Sequence, residues 1–210
     1  YWSTDNAGNE ETHHTGYVNI DTTLPSTTAA GLQMSDSTGW IKTSQSVTLT
    51  PTDAGGSGLA ATYYTIDGVQ YTYSGPFTVS AAGSHTITYW STDNAGNEET
   101  HHSGYVNIDT LKPTSQATKT VTVKRGKKAK LAFKINDRTP SCGTAAVTIT
   151  IKLKAKIVKT IKITSVPTNE ARSYSFKVTL KKGSYTWTVK AKDAAGNVGN
   201  ASVAKKLIVK

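Results

Sequence analysis

Residues 61–97 read ATYYTIDGVQYTYSGPFTVSAAGSHTITYWSTDNAGN. Short runs rich in Thr, Tyr, Val and Ile alternate with turn signals: Asp67-Gly68, Ser74-Gly75-Pro76, Ala82-Gly83 and Asn94-Ala95-Gly96-Asn97. β-branched and aromatic side chains suit a pleated, half-buried surface, and Gly, Asn, Asp and Pro punctuate it. Asp67-Gly68 is a two-residue turn of the kind a tight hairpin needs, because both positions accept positive φ. The predicted flanking strands are Thr62–Ile66 and Val69–Tyr73. Phe77–Ser80 and the long strand His85–Thr92 follow, the latter with Ile87 and Tyr89 on one face and Trp90 on the other. Upstream, Ser46–Pro51 alternates before the Gly-rich loop Asp53–Gly58, and downstream Gly104–Ile108 runs into Asp109. Seven or so short strands at this spacing predict a β-sandwich.

The end of this stretch belongs to a repeat. Residues 89–110 read YWSTDNAGNEETHHSGYVNIDT, and residues 1–22 read the same but for Thr15 in place of Ser103. Close self-similarity at domain length marks an array of small modules rather than an enzyme. It divides the chain into 1–22, the C-terminal strands of a truncated repeat; 23–110, a complete acidic repeat; and 111–210, a last segment. Thr22–Pro25 and Thr110–Pro113 read as the linkers. On this reading any export signal lies upstream of Tyr1, where no signal peptide is visible.

The net charge of +10 conceals a split. Residues 1–110 hold Lys42 alone against eleven acidic residues, a net of −10. Residues 111–210 hold 23 basic residues against Asp137, Glu170 and Asp193, a net of +20. Two parts so different imply different partners. Cys142 is the only cysteine, which excludes a disulfide framework within the chain. No apolar run of 18 residues exists, so no membrane span is expected.

The last segment repeats the scheme in other letters. Its strand candidates are Thr120–Lys124, Lys130–Ile135, Ala146–Lys156, Ile157–Thr164, Tyr174–Leu180, Ser184–Lys192 and Ala204–Val209. Asp193-Ala194-Ala195-Gly196-Asn197 echoes Asp93-Asn94-Ala95-Gly96-Asn97. Lysines fall at strand period. Lys152, Lys154 and Lys156 alternate with the apolar positions that begin at Val147, and Lys190 and Lys192 alternate with Trp187, Val189 and Ala191. A period of two puts all five on the outer face.

Ala61–Gly68, Tyr73–Phe77, Gly83–Ile87 and Ser91–Glu98 together resemble the OmpL47-type immunoglobulin-like repeat of bacterial extracellular proteins. Relatives of that repeat include the C-terminal Ig-like modules of chitobiase-type enzymes. Ile157–Ile161, Leu180–Tyr185 and Asp193–Asn197 resemble a basic Ig-like C-terminal domain of secreted actinobacterial proteins, and the Ig-like part of flagellar hook-capping proteins. The resemblance implies an all-β fold of tandem immunoglobulin-like β-sandwich domains, at the cell surface or outside the cell. It also implies a cysteine near Cys142 paired with one in the strand holding Phe176 and Val178; that second cysteine is absent.

Chemistry-bearing residues point in several directions. Asp53, Asp93, Asn97 and Asp109 offer oxygens of the type Ca²⁺ takes. The same residues equally serve turns, where Asp and Asn bond their own backbone. Apart from that calcium no cofactor is expected. His13-His14 and His101-His102 are adjacent on strands, so each pair points to opposite faces and makes a poor chelate. No Gly-x-Ser-x-Gly elbow stands out, and the Gly-rich loop lacks the lysine of a phosphate loop. No enzyme activity is expected.

Trp40 and Tyr64 are the candidates for stacking on sugar rings, against the commoner use of such aromatics in core and cross-strand pairs. Lys152, Lys154, Lys156, Lys190 and Lys192 are the candidates for an anionic cell-envelope polymer or polysaccharide, against their use as edge protection. Arg is scarce, so no specific nucleic acid is expected. Three functional readings follow. The first is a non-catalytic surface spacer or adhesive stalk whose basic domain docks on an anionic envelope. The second is an accessory carbohydrate-binding module of a glycoside hydrolase. The third is head-to-tail self-association of acidic and basic parts into a filament.

Overall fold

The computed structural model describes residues 1–210 and contains strands and turns but no helix. The strands of the acidic part are β1 (Ser26–Ala30), β2 (Gln45–Thr52), β3 (Leu59–Ile66), β4 (Val69–Thr72), β5 (Phe77–Val79), β6 (Gly83–Asp93) and β7 (His102–Ile108). They form a three-stranded sheet β1-β2-β5 and a four-stranded sheet β4-β3-β6-β7. Val47, Leu49, Val79, Ile87, Val106 and Ile108 fill the space between. The Asp67-Gly68 turn takes φ of 52° and 87°, as the β3–β4 hairpin requires.

The basic part contains β8 (Thr114–Ala117), β9 (Val121–Val123), β10 (Lys128–Asn136), β11 (Thr144–Leu153), β12 (Lys156–Pro167), β13 (Ala171–Lys177), β14 (Gly183–Asp193) and β15 (Lys205–Val209). Its sheets are β13-β10-β8 and β12-β11-β14-β15-β9. The pairing is that of the acidic sandwich: β10 lies between β8 and β13 as β2 lies between β1 and β5, and β11 between β12 and β14 as β3 lies between β4 and β6. The addition is β9, which pairs parallel with β15. In the acidic module its place is held by one parallel bridge, Ile41 to Ile108. Both modules are immunoglobulin-like β-sandwiches.

The two interiors differ in depth. The basic module buries an 18-residue apolar cluster around Trp187 and Phe133, and the acidic module one of six. The acidic module supplements its small core with buried polar contacts. Thr27 Oγ1 and Thr62 Oγ1 lie 2.6 and 2.8 Å from Ser91 Oγ. The Thr27 amide donates to Glu99 Oε2 at 2.8 Å, and the Thr27 hydroxyl donates to Glu99 Oε1. These contacts fasten β1, which has little apolar surface, to β6 and the loop that follows it.

Residues 1–22 contain no strand. They hold a loose hairpin with a bridge between Thr4 and Glu10. The ring pairs of the complete repeat nevertheless recur. Tyr1 stacks on His14 as Tyr89 does on His102, and Trp2 meets His13 as Trp90 meets His101. Val18 is 87% exposed, while its copy Val106 is 1% exposed in β7. The local turn and ring contacts are written in these residues; the strand state needs the sandwich.

The lysine placement needs one correction. Residues 144–167 form a hairpin that reverses at Lys154-Ala155, where Lys154 takes φ of 52°. Lys154 therefore sits in the turn and Lys156 begins the return strand, paired with Leu153. Neither continues the outer row of β11. A two-residue turn can impose positive φ on a residue without turn character when the flanking register demands it.

Candidate functional site

The Asp-x-Ala-Gly-Asn turn occurs three times with one geometry. The amides of Asn9, Asn97 and Asn197 donate to Oδ1 of Asp5, Asp93 and Asp193 at 2.9, 2.8 and 2.7 Å. Gly8, Gly96 and Gly196 carry φ of 88°, 91° and 95°, which a side chain would resist. In the complete modules the asparagine also reaches backward along the chain. Asn97 Nδ2 donates to the Asp21 carbonyl at 3.0 Å, and Asn197 Nδ2 to the Asp109 carbonyl at 2.7 Å. Asp21 and Asp109 are the same residue of the repeat. The turn is thus a joint that holds the end of the preceding segment.

Each joint gathers three aspartates from equivalent places. At the first they are Asp21, Asp53 (directly after β2) and Asp93 (the end of β6), whose ligating atoms come within 4.8 Å of one another. At the second, Asp109, Cys142 and Asp193 (the end of β14) form such a group. Asp137, directly after β10, adds a third carboxylate close enough to feel the charges of the other two.

The electrostatics of the joints diverge. At the first, every carboxylate oxygen has a donor. Asp21 accepts from the amides of Thr23 and Ser57, and Asp53 from those of Gly55 and Gly58. Asp93 accepts from the amides of Ala95 and Asn97 and from Asn97 Nδ2. Contact with Ser57 and the Thr23 amide hold the Asp21 carboxyl below its ordinary value. Burial pushes Asp93 up, but the bonds from Asn97 and Ala95 outweigh it and hold that carboxyl down as well.

At the second joint Asp109 accepts from the amides of Leu111 and Cys142, and Asp193 Oδ1 from that of Asn197. Asp137 Oδ1, Asp137 Oδ2 and Asp193 Oδ2 are buried with no partner. Burial, and then the charges of Asp109 and Asp193, push the Asp137 carboxyl up to about 6. Burial likewise pushes the Cys142 thiol up, against the amides of Ala195, Ala194 and Thr144.

The four sequence-derived calcium candidates therefore lie at two places. Asp53 and Asp93 share the first joint, and Asp109 lies at the second. Asn97 uses its amide as a donor, which leaves it a scaffold for the turn. Asp21, Asp137 and Asp193 join them at these two places. The available signal is positional: an aspartate ends both copies of Val-Asn-Ile-Asp, and another directly follows the equivalent strands β2 and β10.

Of the glycan candidates, Tyr64 lies toward the core. Its ring stacks on Phe77 at 3.8 Å and packs against Tyr71 and Tyr73. Trp40 is half-buried in the segment leading to Ile41. Of the four histidines in the two pairs only His102 lies in a strand; His101 stacks on Trp90 and His102 on Tyr89, and neither pair joins a group of three ligating side chains.

The basic candidates form a surface on the five-stranded sheet. Lys190 pairs with Thr148, which pairs with Lys162; Lys152 pairs with Thr186, which pairs with Lys206. Lys192 follows on the same face of β14. Two strands apart, Lys162 and Lys190 stand about 10 Å from one another at the backbone. None of these lysines has a carboxylate within ion-pair distance; the basic module's one ion pair is Arg172 with Glu170.

Residues 125–208 match the family model described as a bacterial Ig-like domain. No curated protein matches the chain. The match covers most of the basic sandwich, and the shared strand pairing extends the likeness of fold to the acidic one. No helix is long and apolar enough to cross a membrane.

Proposed function

We propose that this chain is a non-catalytic spacer segment of an exported bacterial surface protein, and that its basic sandwich docks on an anionic polymer of the cell envelope. Bacterial Ig-like domains commonly occur in surface or extracellular proteins. The observation that carries the docking half is the position of Lys152, Lys190 and Lys192. Edge protection accounts for lysines on β12, an outer strand of its sheet. It does not account for lysines on β11 and β14, which are flanked on both sides. Five unpaired ammonium groups on one sheet face make a field that concentrates polyanions without reading a sequence.

The test is binding to purified cell wall across a salt series. Affinity falls steeply between about 50 and 300 mM NaCl, as the Debye length shortens from about 14 to about 6 Å. A Lys190→Glu, Lys192→Glu double variant weakens binding at low salt, and a Lys119→Glu, Lys182→Glu pair of equal charge change weakens it less. Affinity indifferent to salt, or equal loss in both pairs, overturns the docking reading while leaving the spacer untouched.

A further inference from the structure

We infer that the basic sandwich binds anionic polymer on both of its broad faces, and so bridges two polymer strands rather than holding one. This rests on the docking proposed above and adds a second site to it, on the sheet β13-β10-β8. In β10, Ala129, Leu131, Phe133 and Ile135 are buried in the core. Period two therefore turns Lys128, Lys130, Ala132 and Lys134 outward. Register adds Lys177 of β13, which stands directly opposite Lys128. Four ammonium groups thus share the outer face of the smaller sheet. Lys130, Ala132, Ala171, Arg172 and Ser173 line a shallow groove there, and its small residues leave the sheet surface open between Lys130 and Lys134.

Edge protection does not account for these lysines, because β10 is flanked by β13 and β8. Lys128 and Lys177 are like charges directly across a strand pair, an arrangement that destabilises a sheet. The module supplies no counter-charge: Asp137 and Asp193 are buried, and Glu170 pairs with Arg172. A bound polyanion supplies it. The acidic sandwich shows that the fold itself does not need lysine at this place. Its equivalent strand β2 turns Ser46, Thr48, Thr50 and Thr52 outward, opposite Thr78, Ala30, Thr28 and Ser26.

The two lysine faces point in opposite directions. Sheets in a sandwich pack about 10 Å apart, and the lysine side chains extend outward from both. The ammonium layers therefore stand farther apart than the Debye length of about 8 Å at physiological ionic strength. Each face attracts polymer independently of the other. A strand lying on Lys152, Lys190 and Lys192 leaves Lys128, Lys130, Lys134 and Lys177 free for a second. The occupant is the same anionic envelope polymer on both faces. Lysines spaced about 7 and about 14 Å along β10 match repeated negative charge and nothing more specific. Residues 1–110, with a net charge of −10, are repelled by that polymer, so the basic sandwich alone enters it.

The experiment is a two-step capture with the full chain. Poly-L-glutamate fixed to a sensor surface takes up the protein at low salt, and after washing, fluorescent poly-L-glutamate is passed over it. We expect the parent to capture the second polymer and to release both as salt rises. The triple variant Lys128→Ser, Lys130→Ser, Lys134→Thr gives β10 outer residues of the kind β2 carries. It retains the first capture through the five-stranded sheet and reduces the second at least about tenfold. Lys190→Glu with Lys192→Glu weakens the first capture and also reduces the second. Lys119→Ser, Lys154→Ser, Lys182→Ser, an equal loss of charge outside the strands, retains both. Circular dichroism verifies that each variant folds. A first capture indifferent to salt overturns the docking proposal and bridging with it. A normal first capture without a second overturns bridging alone, and is the result a single strand wrapped around the sandwich edge would give. A second capture undiminished in the β10 variant, or lost equally in the control outside the strands, overturns bridging as well.

Discussion

Asn197 and Asp109 stand 88 residues apart, and the Asn197 side-chain amide donates to the Asp109 carbonyl oxygen at 2.7 Å. The same contact joins Asn97 to Asp21. A motif that reads as a local turn is therefore also a coupling between consecutive modules. Asn197→Ala leaves the Asp109 carbonyl buried without its donor, a loss of about 1–3 kcal/mol. We expect a lower melting temperature for the basic sandwich and faster proteolysis of residues 110–113. Asn9→Ala, in the exposed copy of the turn where the side chain meets Asp5 alone, leaves both unchanged.

The repeat supplies a second matched pair. Glu99 is buried and binds both the amide and the hydroxyl of Thr27, while its copy Glu11 is exposed. Glu99→Ala strips β1 of its anchor and leaves the Thr27 amide unpaired. The expected cost is about 2–3 kcal/mol, the range for losing a charged acceptor. Glu11→Ala falls within about 0.5 kcal/mol of the parent. Guanidinium unfolding of the two variants measures the difference, and similar values would remove the anchoring role.

The six-residue core of the acidic module and the 18-residue core of the basic one predict unequal stability. Denaturant unfolding takes place in two steps, the acidic module first. Trp90, packed between Tyr63 and His101, reports the early step, and Trp187 at the centre of the basic core reports the late one. Trp187→Ala lowers the late step alone, by about 3–5 kcal/mol. Trp187→Phe costs far less, because it keeps most of the ring and removes an indole N–H that has no acceptor. A single coincident transition at both tryptophans would contradict the ordering.

How much of this was legible follows the range of the interactions. The Asp67-Gly68 hairpin could be read from two letters because its cause is local: the turn demands positive φ and those residues accept it. β1 (STTAA) and β8 (TSQA) could not be read. Neither has an apolar alternation, and each becomes a strand only because β2 or β10 offers its edge. Lys154 has no turn signature, so period two carries the first strand on to Lys156 and sets the reversal two residues late. The joints were half legible. The aspartates that end each Val-Asn-Ile-Asp are visible in the repeat, but Asp137 acquires meaning only when three distant segments meet. The outer lysines of β11 and β14 follow from period two alone, whereas Lys162 and Lys206 join them through register, which the sequence does not display.

Asp67 gives the acidic module a defined response to acid. Burial pushes its carboxyl up, but His85 and the Thr86 amide outweigh that and hold it below its ordinary value. His85 Nδ1 lies 2.7 Å from Oδ2, and the Thr86 amide donates to Oδ1 at 2.9 Å. A depressed carboxylate pKa contributes stability that is complete above the unfolded-state value of about 3.9 and is lost as pH falls through the lower folded-state value. The acidic module should accordingly lose stability below about pH 4. Asp67→Asn removes the ionisation yet keeps an oxygen for the Thr86 amide and tolerates the φ of 52° at this position. Its stability is therefore lower than the parent's at neutral pH, and the gap closes as pH falls toward about 2. Urea unfolding of both proteins between about pH 2 and 7, followed at Trp90, measures the gap. A gap that persists at the acid end would mean that the Asp67–His85 contact acts through packing rather than through charge.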